Sequence, residues 1–380
     1  MKKKYIILSI ITLVLLIAFV TSFNYFKTSN TYVENNSNNQ TKITKGISMN
    51  LEQTAGAGDY KQVTQSNWPT KGYKFNSELS RCENGSKLSW DNAKKTVIVS
   101  GNLSDKCYVY FDIYQPTLAE YIKSQYTGTQ GDNALYYHNS TLANGAGDNS
   151  YRYAGASDSV NNYICLGSDV ATCPDANLFR IIGVFGDKTK VIRAKSVVYQ
   201  QWHTSADNTW SSSSLNAYLN GTYLTSLGTI AEKIATTTWK VGGGSGSNIS
   251  ASVPKTAYKN EVGSSASTTI IDKKIGLMYV SDYGFAASPS AWTKTLGDYD
   301  GTDANGTSIK TINWMYMGYN EWTISRRSDL TNHSFRVHSS GFVRYDHVTS
   351  SFEVRPSFNL ESSVKYVSGS GSMSDPVRVN

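Results

Sequence analysis

The chain reads as an α+β protein, with an export segment leading into a small β module and then a larger mixed domain. Three patterns predict this. Period-two alternation in "DKCYVYFDIY" (105–114) and on both sides of Gly186-Asp187-Lys188 in "LFRIIGVFGDKTKVIRAKSV" (178–197) marks strands. Helical spacing of apolar residues in "SSSSLNAYLNGTYLTSL" (211–227) marks a central helix behind a serine-rich N-cap. Strand patterns then return in "SFRVHSSGFVRYDHV" (334–348), "FEVRPSFNL" (352–360) and "SVKYVSGSGSMSDPVRV" (363–379). Strands at both ends with helices between them are the α+β arrangement.

The N-terminus gives the clearest signal. Lys2, Lys3 and Lys4 precede an apolar run from Tyr5 to Phe23, long enough to span a bilayer as a helix. The lysines should stay cytoplasmic and everything after the run outside. Val20 and Ser22 leave signal-peptidase cleavage open, whereas the length of the run and the lack of an A-x-A pattern favour an uncleaved anchor. Residues 1–23 are therefore a signal anchor or signal peptide. Residues 24–47, rich in Asn, Ser and Thr, read as a flexible linker. The expected location is the cell membrane, single-pass, with the C-terminal part extracellular.

Composition agrees with export. Charged residues are only 17% of the 380, while Tyr alone numbers 26. Such a surface is polar without being ionic. The formal net charge is +7, but three of those charges are Lys2, Lys3 and Lys4, and no Lys/Arg block of the kind that tracks a phosphate backbone is present. Nucleic acid is excluded as a partner on this ground. The four cysteines, Cys82, Cys107, Cys165 and Cys173, suit an oxidising compartment. Spacing favours Cys82–Cys107 and Cys165–Cys173, because each pair closes a local loop.

Residues 48–115 form the small β module. "KLSWDNAKKTVIVSG" (87–101) gives two strands around Asp91-Asn92-Ala93, and Trp90 and Tyr110 are expected inside a sheet that the Cys82–Cys107 bridge staples. Pro116 marks the boundary. Residues 116–380 form the larger domain. "LAEYIKSQY" (118–126) is a short amphipathic helix. "GDNALYYH" (131–138) and "GDNSYRYAG" (147–155) are two turns feeding Tyr-rich strands. In the central helix, Leu215, Tyr218, Leu219, Leu224 and Leu227 share a face broken by Gly221, and "TIAEKIATTTW" (229–239) continues the pattern. "GGGSGSN" (242–248) is a loop, "KIGLMYVSDYGFAA" (274–287) begins with a buried strand, and "GDYDGTDANGTS" (297–308) is an acidic loop.

Several constellations bear on chemistry. In 334–348, alternation puts Phe335 and Val337 on one face and Arg336 and His338 on the other. Beyond a turn at Ser339-Ser340-Gly341, Phe342, Arg344 and Asp346 share one face, and Val343, Tyr345 and His347 the other. A sheet exposing Arg, His, Tyr and Asp on one side offers the residue types that dominate recognition sites. His333, His338 and His347 lack the spacing and companions of a metal site, so no cofactor or metal is expected. Asp298, Asp300, Asp303 and Asn305 carry oxygen ligands of the kind calcium takes, but outside the EF-hand register, and read as a plain turn. No G-x-S-x-G elbow follows a strand. Glu321 and Glu353 are the carboxylates available for an envelope-polymer hydrolase, with nothing in the sequence to bring them together.

"NWMYMGYNEWTIS" (313–325), the strand-rich stretch around Gly341 and "VRPSFNL" (354–360) resemble the C-terminal half of C-type-lectin-like modules related to formylglycine-generating enzymes. More broadly, "NLFRIIGVF", "WSSSSLNAYLN", "IGLMYVSDYGFAASPSAW" and "SGSGSMSDPVRV" are similar to domains on bacterial surface proteins. The resemblance covers residues 116–380 and implies a C-type-lectin-like fold there. No cysteine follows Cys173, so the enzymes' oxidase activity does not carry over, and Gly318 stands where that family has a calcium-site asparagine. The resemblance makes Glu321, Trp322 and Thr323 a structural corner; Trp322, an aromatic flanked by Ile324 and Met317, reads as a core anchor. It maps the variable ligand contacts of related receptors onto Arg326, Arg327, Asp329, His333, Arg336, His338, Arg344 and Tyr345. The function expected is a non-enzymatic surface binding protein, adhesin- or receptor-like, holding a protein or carbohydrate. An envelope hydrolase and a passive spacer are the alternatives.

Overall fold

The computed structural model describes residues 46–63, 69, 72–91, 94–102, 104–241, 249–262 and 269–380. The predicted membrane segment at residues 5–23, nearly all of the 24–47 linker, the Asn92-Ala93 turn and the 242–248 loop lie outside them. Among the described residues no helix is long and apolar enough to cross a membrane. The chain divides into two compact units, one ending at Gln115 and one starting at Pro116. The secondary structure is mixed α+β, mostly sheet, with two disulfides.

In the first unit, the strand Cys107–Ile113 is central. It pairs in parallel with Ile47–Glu52 and antiparallel with Tyr73–Phe75 and Arg81–Cys82. Ile47, placed by the sequence in the linker, already belongs to the first strand. Alternation along Cys107–Ile113 buries Cys107, Val109 and Phe111 against Met49, Leu51, Val97 and Val99. Trp90 packs edge-on to Phe111 at 5.1 Å. Tyr110 does not join it, because its position points to the other face, where it meets Tyr60 at 5.0 Å and the Arg81 guanidinium at 5.8 Å. Cys82 and Cys107 are direct register partners and form a disulfide. Among the described residues this core has seven buried apolar side chains, which is small, and a small core is where such a staple contributes most.

The second unit holds a nine-stranded sheet and a five-stranded sheet. The first runs in the order Ile275–Leu277, Pro356–Leu360, Lys188–Arg193, Leu178–Phe185, Tyr163–Cys165, Val377–Val379, Tyr366–Ser368, with Ser150–Tyr153 and Leu135–His138 paired alongside. The Leu178–Phe185/Lys188–Arg193 hairpin turns at Gly186, whose φ of +66° suits glycine. Both of its strands are buried over nearly their whole length, so a period-two polar face is missing where the sheet is covered on both sides. Cys165 and Cys173 are bonded.

The helices follow local signals. Thr117 and Glu120 form a capping box at the start of Leu118–Ser124. The Ser213 hydroxyl accepts from the Asn216 amide at the start of Ser214–Tyr218. Gly221 does not break that helix. A π-turn over Leu219–Tyr223 carries the backbone past it and shifts the phase, so that Leu215, Leu219 and Tyr223 are buried while Tyr218, Leu224 and Leu227 sit half-buried at the edge. The helical pattern also stops earlier than expected. Thr237–Val241 is a strand paired with Thr269–Lys273, since the run of β-branched residues around Trp239 fits a pleated surface better than a helix. The buried strand predicted before "MYVSDYGFAA" is Ile275–Leu277, followed by the helix Val280–Ala286.

Ser351–Val354 belongs to the five-stranded sheet and Pro356–Leu360 to the nine-stranded one, so the chain passes from one to the other at Arg355. Trp202, Trp210, Trp239, Trp314 and Trp322 are buried in the main core between these elements, and Trp292 in a smaller cluster with Phe285, Ala146 and Ala154.

Candidate functional site

The five-stranded sheet runs Val198–Gln201, Ser351–Val354, Glu321–Arg326, His333–Val337, Val343–His347. Its last two strands form the predicted hairpin, closed at Gly341 with φ +101°. A side chain at Gly341 would meet Lys310 Cγ at 2.8 Å and the Tyr299 carbonyl at 3.2 Å, so glycine is required there for space as well as conformation. The register pairs His333 with His347, Phe335 with Tyr345 and Val337 with Val343. Ser334 pairs with Asp346 and Arg336 with Arg344. Directly opposite residues share a face. The predicted set is therefore split across the sheet and does not form a single Arg/His/Tyr/Asp surface.

On one face Phe335, Val337 and Val343 enter the core, and His333, Tyr345 and His347 stand half-exposed at the open end. Arg327 lies over Tyr345, its guanidinium carbon 3.9 Å from the ring centroid. Both oxygens of Asp329 hold that guanidinium, with Nε to Oδ1 at 2.8 Å. His333 stands edge-on to Tyr345 at 5.7 Å and to His347 at 5.5 Å. The loop that delivers Arg327 and Asp329 is fastened from below. The buried Asn208 side-chain amide donates to the carbonyls of Arg327, Leu330 and His333, each at 2.8 Å.

On the opposite face Arg336 is only 6% exposed. Its Nη1 donates to Asn320 Oδ1 at 2.7 Å, its Nε lies 3.2 Å from Asp346 Oδ2, and its plane covers Phe352 at 4.5 Å. Arg344 beside it is exposed. His338 lies past the strand end, stacked on Phe342 at 4.3 Å. Arg326 turns away from both groups, towards the Val241 carbonyl and Asn208 Oδ1. Arg327, Asp329, His333 and Tyr345 thus come together, whereas Arg326, Arg336, His338 and Arg344 do not join them.

The electrostatics follow the contacts. Hydrogen bonding to Asp329 raises Arg327, and the same bond holds Asp329 below the usual carboxylate range. Desolvation lowers His333, helped by His347 and Arg327 nearby, so the ring stays neutral at pH 7. Burial also lowers Arg326, and it lowers Arg336 against the pull of Asp346. Desolvation and the neighbouring Arg336 and Arg344 lower His338.

Two members of this region escaped the sequence reading. Alternation gives His347 its face but not its place beside His333. Asn208, in an unpatterned "SADNTW", carried no signal, because its role depends on a loop more than 100 residues away. The predicted core anchor Trp322 is fully buried, edge-on to Phe352 at 4.7 Å, with its Nε1 donating to the Gln200 carbonyl. In the 297–308 loop, the buried Asp303 accepts from the amides of Asn305 and Thr307, an Asx-turn pattern. Among the described residues no three His, Cys, Asp or Glu side chains are grouped to hold a metal ion.

Glu321 and Glu353, unrelated in sequence pattern, are register partners on adjacent strands. Glu321 is 2% exposed and accepts from Arg355 Nε at 2.7 Å and Nη2 at 2.9 Å. Glu353 accepts from the Ser196 hydroxyl at 2.5 Å. Comparison of the chain with family models, with curated proteins and with solved structures returns no significant match.

Proposed function

We propose that residues 116–380 are the ligand-holding head of an exported, membrane-anchored surface protein, a C-type-lectin-like module that contacts a protein or a glycan through the Arg327–Asp329–His333–Tyr345 face. The observation that carries this reading is the Arg327–Tyr345 stack. A guanidinium packed on a ring, fixed by a carboxylate and mounted on a loop tied to Asn208, is rigid before any ligand arrives. Arg and Tyr dominate the energetics of interfaces, and pre-ordering them removes part of the entropy cost of association. The binding reading is favoured over the hydrolase because Glu321 is 2% exposed and has both oxygens engaged by a buried arginine. It is favoured over a passive spacer because Asp329, His333 and Tyr345 reach the surface around Arg327, which is itself only 8% exposed.

The test is a screen of the full chain against glycan arrays and surface-protein panels, followed by Tyr345→Ala and Arg327→Ala. Each substitution should weaken a detected interaction at least ~10-fold, the range of an interface hot spot. Arg344→Ala, on the opposite face, should leave it unchanged. An interaction that survives both face substitutions would remove the assignment.

A further inference from the structure

Away from the terminal sheet, the second unit has a solvent-connected cavity of about 160 Å³. Its walls are the rings of Phe185, Trp239, Tyr258 and Tyr279, and its floor is Lys190 with Asp282. Lys190 is 5% exposed and Asp282 3%. The Lys190 ammonium lies 2.5 Å from Asp282 Oδ2 and sits over Tyr279 at 4.5 Å and Trp239 at 5.5 Å. Asp282 also accepts from the Tyr279 amide and stands 3.7 Å from Arg152 Nη1. Arg152 is itself held by Asp148 at 2.7 Å. Thr237, Thr238, Val262 and Asn359 complete the lining, the Asn359 side-chain amide donating to the Thr237 hydroxyl at 3.0 Å.

We propose that this cavity is a second ligand site, and that it takes one neutral, hydroxyl-rich ring of monosaccharide size. Three features point there. First, the floor is bipolar. An anionic ligand drawn to Lys190 would meet Asp282 beside it, and a cationic one drawn to Asp282 would meet an ammonium already caged by aromatic rings. A hydroxyl both accepts and donates, so one such group can accept a hydrogen bond from Lys190 and donate one to Asp282. The ammonium has three donors, one of them directed at Asp282. Second, the aromatic walls suit the C–H faces of a ring, while Asn359 and Thr237 offer further polar contacts. Third, the size is restrictive. The volume equals that of roughly five waters and falls below the ~300–1,000 Å³ of pockets for drug-sized ligands, which leaves room for one ring and not a chain. No charge need be stripped of water on entry, which is the main cost that burial imposes on ionic ligands. The site involves none of the residues of the Tyr345 face.

The experiment is ligand-observed NMR and calorimetry on the full chain in phospholipid nanodiscs, which carry no sugar detergent. The probes are glucose, galactose and N-acetylglucosamine, with glucosamine and glucuronate as the cationic and anionic counterparts. Saturable binding of at least one neutral sugar is expected, with a dissociation constant of ~1–10 mM, and at least ~10-fold weaker binding of both charged forms. Lys190→Met alone would strand a buried carboxylate, so the floor is removed with the K190M/D282N pair, which eliminates both charges together. Asn359→Leu is the milder lesion and keeps the volume. Both should weaken the sugar, while Tyr345→Ala leaves it unchanged and so separates this site from the sheet face. Absence of saturation by every neutral sugar would overturn the proposal. So would equal binding of the charged forms, or full binding to a folded K190M/D282N chain.

Discussion

The join between the two large sheets of the second unit can be tested by cutting its ion pair. Arg355 is the residue at which the chain leaves Ser351–Val354 and enters Pro356–Leu360, and its side chain is 0% exposed. Glu321 receives two of its hydrogen bonds, and the Met315 carbonyl receives another at 2.8 Å. Glu321→Gln keeps the shape but leaves a guanidinium sealed in the core beside an amide that presents only one acceptor. Stranding one member of a buried pair costs about 3–5 kcal/mol. At ~2–4 °C per kcal/mol for a unit of this size, that is a melting temperature roughly 6–20 °C lower. Replacing both residues, as in E321L/R355M, removes the desolvation cost together with the attraction, and typically lands near neutral or above it. The double variant should therefore melt well above the single one. Tryptophan fluorescence during thermal unfolding reports the right unit, because Trp202, Trp210, Trp239, Trp292, Trp314 and Trp322 are all buried within residues 116–380. If Glu321→Gln melts within about 1 °C of the parent, or the double variant melts below the single one, the reasoning about a bidentate buried pair is wrong.

Two further outcomes follow from buried groups and from the disulfides. Burial raises Glu261 from 4.5 to about 7, although the amides of Val280 and Ser281 and the Ser325 hydroxyl all donate to it. A carboxyl raised in the fold binds more protons than the unfolded chain does between pH 4.5 and 7, so its contribution is full below 4.5 and is lost as pH climbs through 7, by about 3 kcal/mol at most. Buried His138, depressed well below 6.5 chiefly by desolvation, works in the opposite direction up to pH 6.5. The informative quantity is therefore the stability of the parent minus that of Glu261→Gln, measured by urea unfolding from pH 5 to 8; it should shrink steadily, and a constant difference would refute the assignment. Opening Cys82–Cys107 by Cys→Ala pairs releases a loop of 25-residue separation, worth ~3.5 kcal/mol in the chain-entropy account, against ~2.5 kcal/mol for the separation of 8 at Cys165–Cys173. The first loss should unfold the unit ending at Gln115 while the six-tryptophan signal of the second unit persists; proteolysis of residues 46–115 and that signal read the two separately.

How far the sequence reaches depends on how local each signal is. Both disulfides were legible because each closes a short loop. The hairpin at 333–347 was legible because alternation is a property of one strand at a time. Alternation correctly grouped Tyr345 with Val343 and His347, but it could not say which face of the neighbouring strand they would share. That is set by the loop length that puts Val343 opposite Val337, and it sends Arg336 and Tyr345 to opposite sides. The helix continued past Gly221 because a π-turn can absorb a misfit that a spacing rule treats as a break. Thr237–Val241 became a strand because pairing with Thr269–Lys273 rewards β-branched residues, and that partner lies some thirty residues on.

The buried charges were illegible for a different reason, and the same reason separates the two kinds of site. Lys188, half-buried, and Lys190, almost sealed, lie two residues apart on one strand face, and nothing in "KTKVIR" distinguishes them. Their fates are decided by Asp282 on the helix Val280–Ala286 and by Trp239 on a separate strand. Buried cations in this unit mark places where distant segments meet. Arg355 joins two sheets, Arg180 reaches Asn162, Ser157 and the Trp314 carbonyl, and Lys190 and Arg152 tie two strands to the helix carrying Asp282. A buried ion pair is weak evidence of stability, because desolvation consumes most of the attraction. What distinguishes these clusters is their remaining capacity. The Glu321 carboxylate is closed, with both oxygens bound to Arg355 and the residue 2% exposed, and Arg355 itself is sealed from solvent. Lys190 borders open volume and directs one of three donors at Asp282. A clamp of the first kind can only hold the fold together, whereas one of the second kind can hold the fold and still engage a hydroxyl.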